Sequence, residues 1–70
     1  MPGRTNYYNR VRVLCDRYQE LTGTDPLEYV SRPGGGEPPH YVFHDGHVAL
    51  GGREAWLYAE GLVAKVEANV

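Results

Sequence analysis

Cysteine, lysine and serine occur once each in these 70 residues, as Cys15, Lys65 and Ser31, and no long apolar run is present. A lone cysteine forms no internal disulfide, and without a Cys-x-x-Cys pair there is no thiolate zinc site, so a reducing compartment is expected. A membrane helix needs roughly 20 consecutive apolar residues, and the Met1-Pro2-Gly3-Arg4 start has no signal-peptide core. The expected location is therefore the cytoplasm, with no membrane contact. Ser31 stands beside Arg32-Pro33 with no positioned base, and Gly34-Gly35-Gly36 are followed by no lysine, serine or threonine, which leaves neither a serine nucleophile nor a phosphate loop. No enzyme activity and no cofactor are expected.

What is present is small and unevenly charged. A chain of this length buries only about 60% of its unfolded surface, so further burial against a partner is expected. Net charge is −2, yet residues 1–22 hold Arg4, Arg10, Arg12 and Arg17 against Asp16 and Glu20. The remainder holds Arg32, Arg53 and Lys65 against Asp25, Glu28, Glu37, Asp45, Glu54, Glu60 and Glu67. Such asymmetry permits a polarised binding surface.

Tyr7, Val11, Leu14, Tyr18 and Leu21 recur at helical spacing and predict an amphipathic helix with Thr5 as N-cap and Gly23 just past its end. Asp25-Pro26-Leu27-Glu28 reads as a cap, a first-position proline and an acidic first turn, which predicts a short second helix through Val30. Residues 32–39, rich in proline and glycine, predict a flexible loop. Asp45-Gly46 between two alternating runs predicts a two-residue type I′ hairpin, placing Phe43 opposite Val48, Tyr41 opposite Leu50 and His44 opposite His47.

After Gly51-Gly52 a last helix is expected, with Trp56, Ala59, Val63, Val66 and Val70 as its core stripe and Ala55 and Leu62 beside it. Leu57, Gly61, Ala64 and Ala68 fall on almost the opposite side, a second apolar face suited to a twin or partner helix. Alanines as plain helix formers would explain the same face. Leu62, Ala64, Val66, Ala68 and Val70 also alternate as a strand would, so a third strand at 62–70 is the competing reading. The fold class is α+β: one small domain over residues 1–70, ordered helix, short helix, hairpin, helix. Both long helices are expected to pack on the Tyr41, Phe43, Val48 and Leu50 face of a two-stranded sheet.

Three histidines lie within eight residues, but His40 and His44 are four apart on one strand, about 13 Å. The close pair His44 and His47 has only Asp45 as a nearby third ligand, so no metal site is expected. Partner-binding candidates are the tyrosines Tyr8, Tyr29 and Tyr58, which combine contact area with a polar tip, together with Arg10, Arg17, His44 and His47. The four arginines beside Tyr7 and Tyr8 also fit a nucleic-acid surface, with guanidiniums on phosphates and a ring on a base.

From Asp45-Gly46 to Leu62 the chain has a tight hairpin, a short glycine lead-in, Glu54-Ala55-Trp56 and then Glu60-Gly61-Leu62 within the helix. This cassette, about a quarter of the chain, resembles one found in small accessory proteins of bacteriophages. The resemblance implies compact, non-enzymatic proteins that bind and block or redirect a host complex, anti-CRISPR inhibitors among them. The functional expectation is a homodimeric protein-binding regulator or inhibitor acting by occlusion in the cytoplasm of the host. A small DNA- or RNA-binding regulator using the arginines of the first helix is the alternative.

Overall fold

A computed structural model describes residues 7–69, which form α1 (Tyr7–Thr22), β1 (Leu27–Ser31), β2 (His40–Phe43), β3 (Val48–Leu50) and α2 (Gly52–Ala68). The sheet is antiparallel in the order β1-β2-β3, and the α+β class expected from the sequence is the class observed. Arg4, the expected cap Thr5 and Val70 lie outside the described residues.

The periodic stripe of α1 sends Val11 and Cys15 fully inward, with Leu14 packed against the same core. Gly23, at φ 83°, ends the helix and donates its N–H to the Gln19 carbonyl at 2.7 Å, because glycine adopts the left-handed region without steric cost. α2 turns Ala55, Ala59 and Val63 inward and runs alongside α1 in the same direction, since Tyr7 meets Gly52 at one end and Arg17 pairs with Glu67 at the other. A Cβ on Gly52 would lie 2.5 Å from the Tyr7 Cβ, so this close approach requires glycine. The strand reading of 62–70 is overturned, as helix continues to Ala68. Trp56 is only partly buried, packed on Tyr7 at 5.7 Å between ring centroids.

Two other expectations are corrected. The segment after Asp25 forms no short helix. The Asp25 carboxylate accepts the Leu27 N–H at 3.0 Å, which closes a turn rather than capping a helix. Leu27–Ser31 then pairs with β2, with a bulge between Leu27 and Tyr29. Pairing to a neighbouring strand overrides the local helix-start signal, and Tyr29 and Val30 favour a strand in any case.

The hairpin register is also shifted by one. Phe43 donates its N–H to the His47 carbonyl at 2.9 Å and accepts the Gly46 N–H at 3.0 Å. Gly46 has φ 90°, while no described non-glycine residue has positive φ. The loop is thus the three-residue form, a type I turn closed by a glycine bulge, and not type I′. Tyr41 now pairs with Ala49, Val42 with Val48 and His40 with Leu50. Because side chains alternate, that single step exchanges the two sides of β3. Ala49 is buried, and Val48 and Leu50 face away from the helices.

The core therefore joins Val11 and Cys15 of α1, Leu27, Tyr41, Phe43 and Ala49 of the sheet, and Ala55 and Ala59 of α2. One face of the sheet is covered, and the other is bare among the described residues.

Candidate partner-binding surfaces

The bare face is built by register. Residues directly opposite on neighbouring strands share a face, so Tyr29, Val42 and Val48 make one row across three strands, and Ser31, His40 and Leu50 make the next. Tyr29 keeps 54% exposure, Val48 47% and Leu50 58%. None of these six residues is a carboxylate, an amine or a guanidinium. An apolar and aromatic surface of this kind marks an interaction site more often than an ordinary exposed face does. Of its members only Tyr29 was marked from sequence. The alternation of the sequence places Val48 and Leu50 in the core, and the one signal against it is that Asp45-Gly46 fits the three-residue turn as well as the two-residue one.

The tip of the hairpin is a second cluster, tied to the middle of α2. Asp45 accepts the Tyr58 hydroxyl proton at one oxygen and the His47 N–H at the other, the latter at 2.9 Å. The His47 ring lies flat on Tyr58, with centroids 3.8 Å apart and planes 7° apart, and Phe43 packs edge-on to the same ring at 4.8 Å. The Tyr58 hydroxyl holds the Asp45 carboxyl below its usual range, helped by the His47 N–H. That carboxylate in turn pushes Tyr58 up to about 12. His44 does not lie opposite His47 as expected, since Phe43 takes that place. Its ring turns edge-on to Tyr18 of α1 at 6.0 Å, and its backbone N–H donates to the Pro26 carbonyl at 2.8 Å. The shifted register separates the two imidazoles, and among the described residues no three His, Cys, Asp or Glu side chains are placed to hold a metal ion.

Among the described residues the arginines form no single patch. Arg10 lies over Trp56 at 5.3 Å, and Arg32 over Tyr8 at 5.9 Å, with Tyr8 in turn beside Tyr41. Arg12 pairs with Asp16 at 3.0 Å and Asp25 at 3.3 Å, and Arg17 pairs with Glu67 at 3.1 Å. Of the sequence candidates, His47 and Tyr58 come together at the hairpin tip. Tyr8 and Arg10 sit at the opposite end, Arg17 between the helices, and Tyr29 on the bare face.

The Cys15 thiol is fully buried and burial pushes it up to about 11, against the opposing pull of Arg12. A thiol so held is largely protonated at neutral pH and sealed from solvent. No described helix is long and apolar enough to cross a membrane.

No family model, curated protein or solved structure was found to match this chain.

Proposed function

We propose that the protein is a small non-enzymatic binding protein that acts by covering a surface of a larger protein complex, as a regulator or inhibitor of the phage-encoded, anti-defence kind. The observation that carries this reading is the pair of apolar and aromatic rows on the outer face of the sheet, with Tyr29, Val48 and Leu50 half exposed in adjoining rows. A domain that needs every apolar side chain for its own core has no use for such a face turned to water, and a protein partner that covers it gains burial. Tyr29 supplies the aromatic anchor, and Tyr8, Tyr58 and His47 lie at the domain ends as rim contacts. The resemblance of the Asp45 to Leu62 cassette to small phage proteins supports the phage assignment, and the cytoplasm of the infected cell is the matching location.

The nucleic-acid reading draws less support, because Arg12 and Arg17 are already matched by Asp16, Asp25 and Glu67. Direct phosphate contact by these two would first break those pairs. The test is partner capture from host lysate after nuclease treatment, comparing the wild type with Tyr29→Glu/Leu50→Glu and with Arg10→Ala/Arg17→Ala. Loss of the same partner in the first variant alone, with circular dichroism intact, supports the reading. Capture that survives the first variant overturns it. A duplex gel shift at low micromolar protein and physiological salt that the arginine variant abolishes would establish the nucleic-acid alternative instead.

A further inference from the structure

Gly52 and Gly61 both lie in α2, and only one of them is required by the fold. Gly52 leaves room for Tyr7, whereas a Cβ on Gly61 would meet nothing within 4 Å. Glycine inside a helix is unfavourable relative to alanine, because it gives up more backbone freedom on folding. Nothing within the described protomer offsets that cost at Gly61. Beside it Leu57, Tyr58, Leu62 and Lys65 line a shallow groove of about 200 Å³, and Leu57 is half exposed.

At 100° per residue, Glu54, Leu57, Gly61 and Ala68 form the side of α2 opposite Ala55, Ala59 and Val63. Tyr58 and Lys65 flank it toward the hairpin, and Arg53, Glu60 and Ala64 flank it on the other side. Lys65 has no ion pair among the described residues. Glu54 uses Oε2 to accept the Leu50 N–H at 3.0 Å and leaves its other oxygen open.

We propose that this face packs on the same face of a second copy of the chain, the two α2 helices running antiparallel and crossing level with Glu60. In that arrangement each flank meets its own counterpart in reverse order. Glu54 comes within about 1.5 Å of the level of Lys65 of the second copy, and Leu57 within about 1.5 Å of that of Ala64 of the second copy. Gly61 lies next to the crossing, where the missing side chain lets the backbones approach. The charges place the crossing between Ala59 and Glu60 and the apolar residues place it between Glu60 and Gly61, half a residue to either side of Glu60. A parallel pairing would set Glu54 against Glu54 near the axis and leave Lys65 facing apolar residues, so charge selects the antiparallel form. The one unfavourable contact is Glu60 with its own copy on the outer flank. The twofold axis is perpendicular to both helices, so the two sheets, which lie on the Tyr58 flank, fall on the same side of the helix pair.

The test combines mass, crosslinking and a pair of opposed readouts. Native mass spectrometry of the wild type should give a dimer, and Glu60→Gln should tighten it. Gly61→Ala should weaken the dimer yet raise the melting temperature of the diluted monomer by about 5 °C through helix propensity. A glycine that served only the protomer would not move the two readouts in opposite directions. Lys65→Glu should weaken association about tenfold by reversing two symmetric exposed pairs, and adding Glu54→Lys should restore it. Separately purified Leu57→Cys and Ala64→Cys chains, once mixed and oxidised, should form the mixed disulfide. Each alone should not, because the like residues are about 9 and 12 Å apart along the axis at 1.5 Å rise per residue. The buried Cys15 keeps the background silent. A monomeric mass at every concentration, or a rapid Leu57→Cys homodisulfide, overturns the proposal. The pairing does not rest on the sheet-face reading, and Tyr29→Glu/Leu50→Glu should leave the dimer mass unchanged.

Discussion

The two faces of the sheet carry nearly equal apolar character and opposite fates. Leu27, Val30, Tyr41, Phe43 and Ala49 face the helices, while Tyr29, Val42, Val48 and Leu50 face away. On β3 the residue chosen for the interior is the smallest of three, Ala49, and the larger Val48 and Leu50 are left outside. Hydrophobicity alone would reverse that choice. The inner face is fixed by what lies across from it: Ala49 joins Ala55 and Ala59 in a core filled by Phe43 and Tyr41, so small residues on both sides let helix and sheet approach closely. The difference teaches that one face is shaped by packing against its own chain. The other is free of that demand and available to a partner.

The comparison breaks most visibly at Phe43, which is 1% exposed. Phe43→Ala should cost about 3–5 kcal/mol, enough to unfold a domain of this size, and loss of near-UV circular dichroism and of the cooperative denaturant transition would report it. An unchanged transition would show that the inner face is not the core.

Gly52→Ala should cost about 1–3 kcal/mol, since the new methyl collides with Tyr7 where α1 and α2 meet. Chemical denaturation measures it, and the contrast with Gly61→Ala separates a glycine the fold needs from one it does not.

A smaller effect is expected at the hairpin tip. Tyr58→Phe removes the hydroxyl that bonds Asp45 and should destabilise by under about 1 kcal/mol at this exposed position. The Asp45 carboxyl is held low by that bond, so its contribution is present above the ordinary aspartate range and is lost as pH falls through the lowered value. Melting curves of the wild type and Tyr58→Phe should therefore differ at neutral pH and converge in strong acid.

The smallest change in stability is expected on the bare face. Leu50→Ala should lie within about 0.5 kcal/mol of the wild type, and the same substitution should still weaken partner capture. A loss of stability comparable to that of Phe43→Ala would mean that the outer face is covered within the protein itself.

Much of this was legible in the chain. The spacing of Val11, Leu14 and Tyr18 and of Trp56, Ala59 and Val63 places both helices, because an apolar stripe at 3.6-residue period has one way to be buried, and the structure turns Ala55 inward where the stripe has Trp56. Asp45-Gly46 placed the turn, and Gly23 and Gly51-Gly52 marked helix boundaries that the structure keeps. The functional surface was not legible in the same way. Tyr29 stands out for its chemistry, but the strand that presents it reads as a helix, since Asp25-Pro26 satisfies a helix start and an aspartate turn equally well. His44 and His47 were read as neighbours, and a loop one residue longer sends them to different helices, to Tyr18 and to Tyr58.

The sequence by itself determined the elements whose signals are local: helix period, helix ends, the position of the turn and the absence of disulfide or thiolate-zinc supports. Only the tertiary structure decided which side of β3 is inside, that Leu27–Ser31 completes the sheet, and which glycine of α2 is filled by a neighbour. The reason is physical. A helix closes its hydrogen bonds within its own segment, whereas a strand takes its register from a partner strand, and one residue of slip, worth little locally, reverses every side chain between core and solvent.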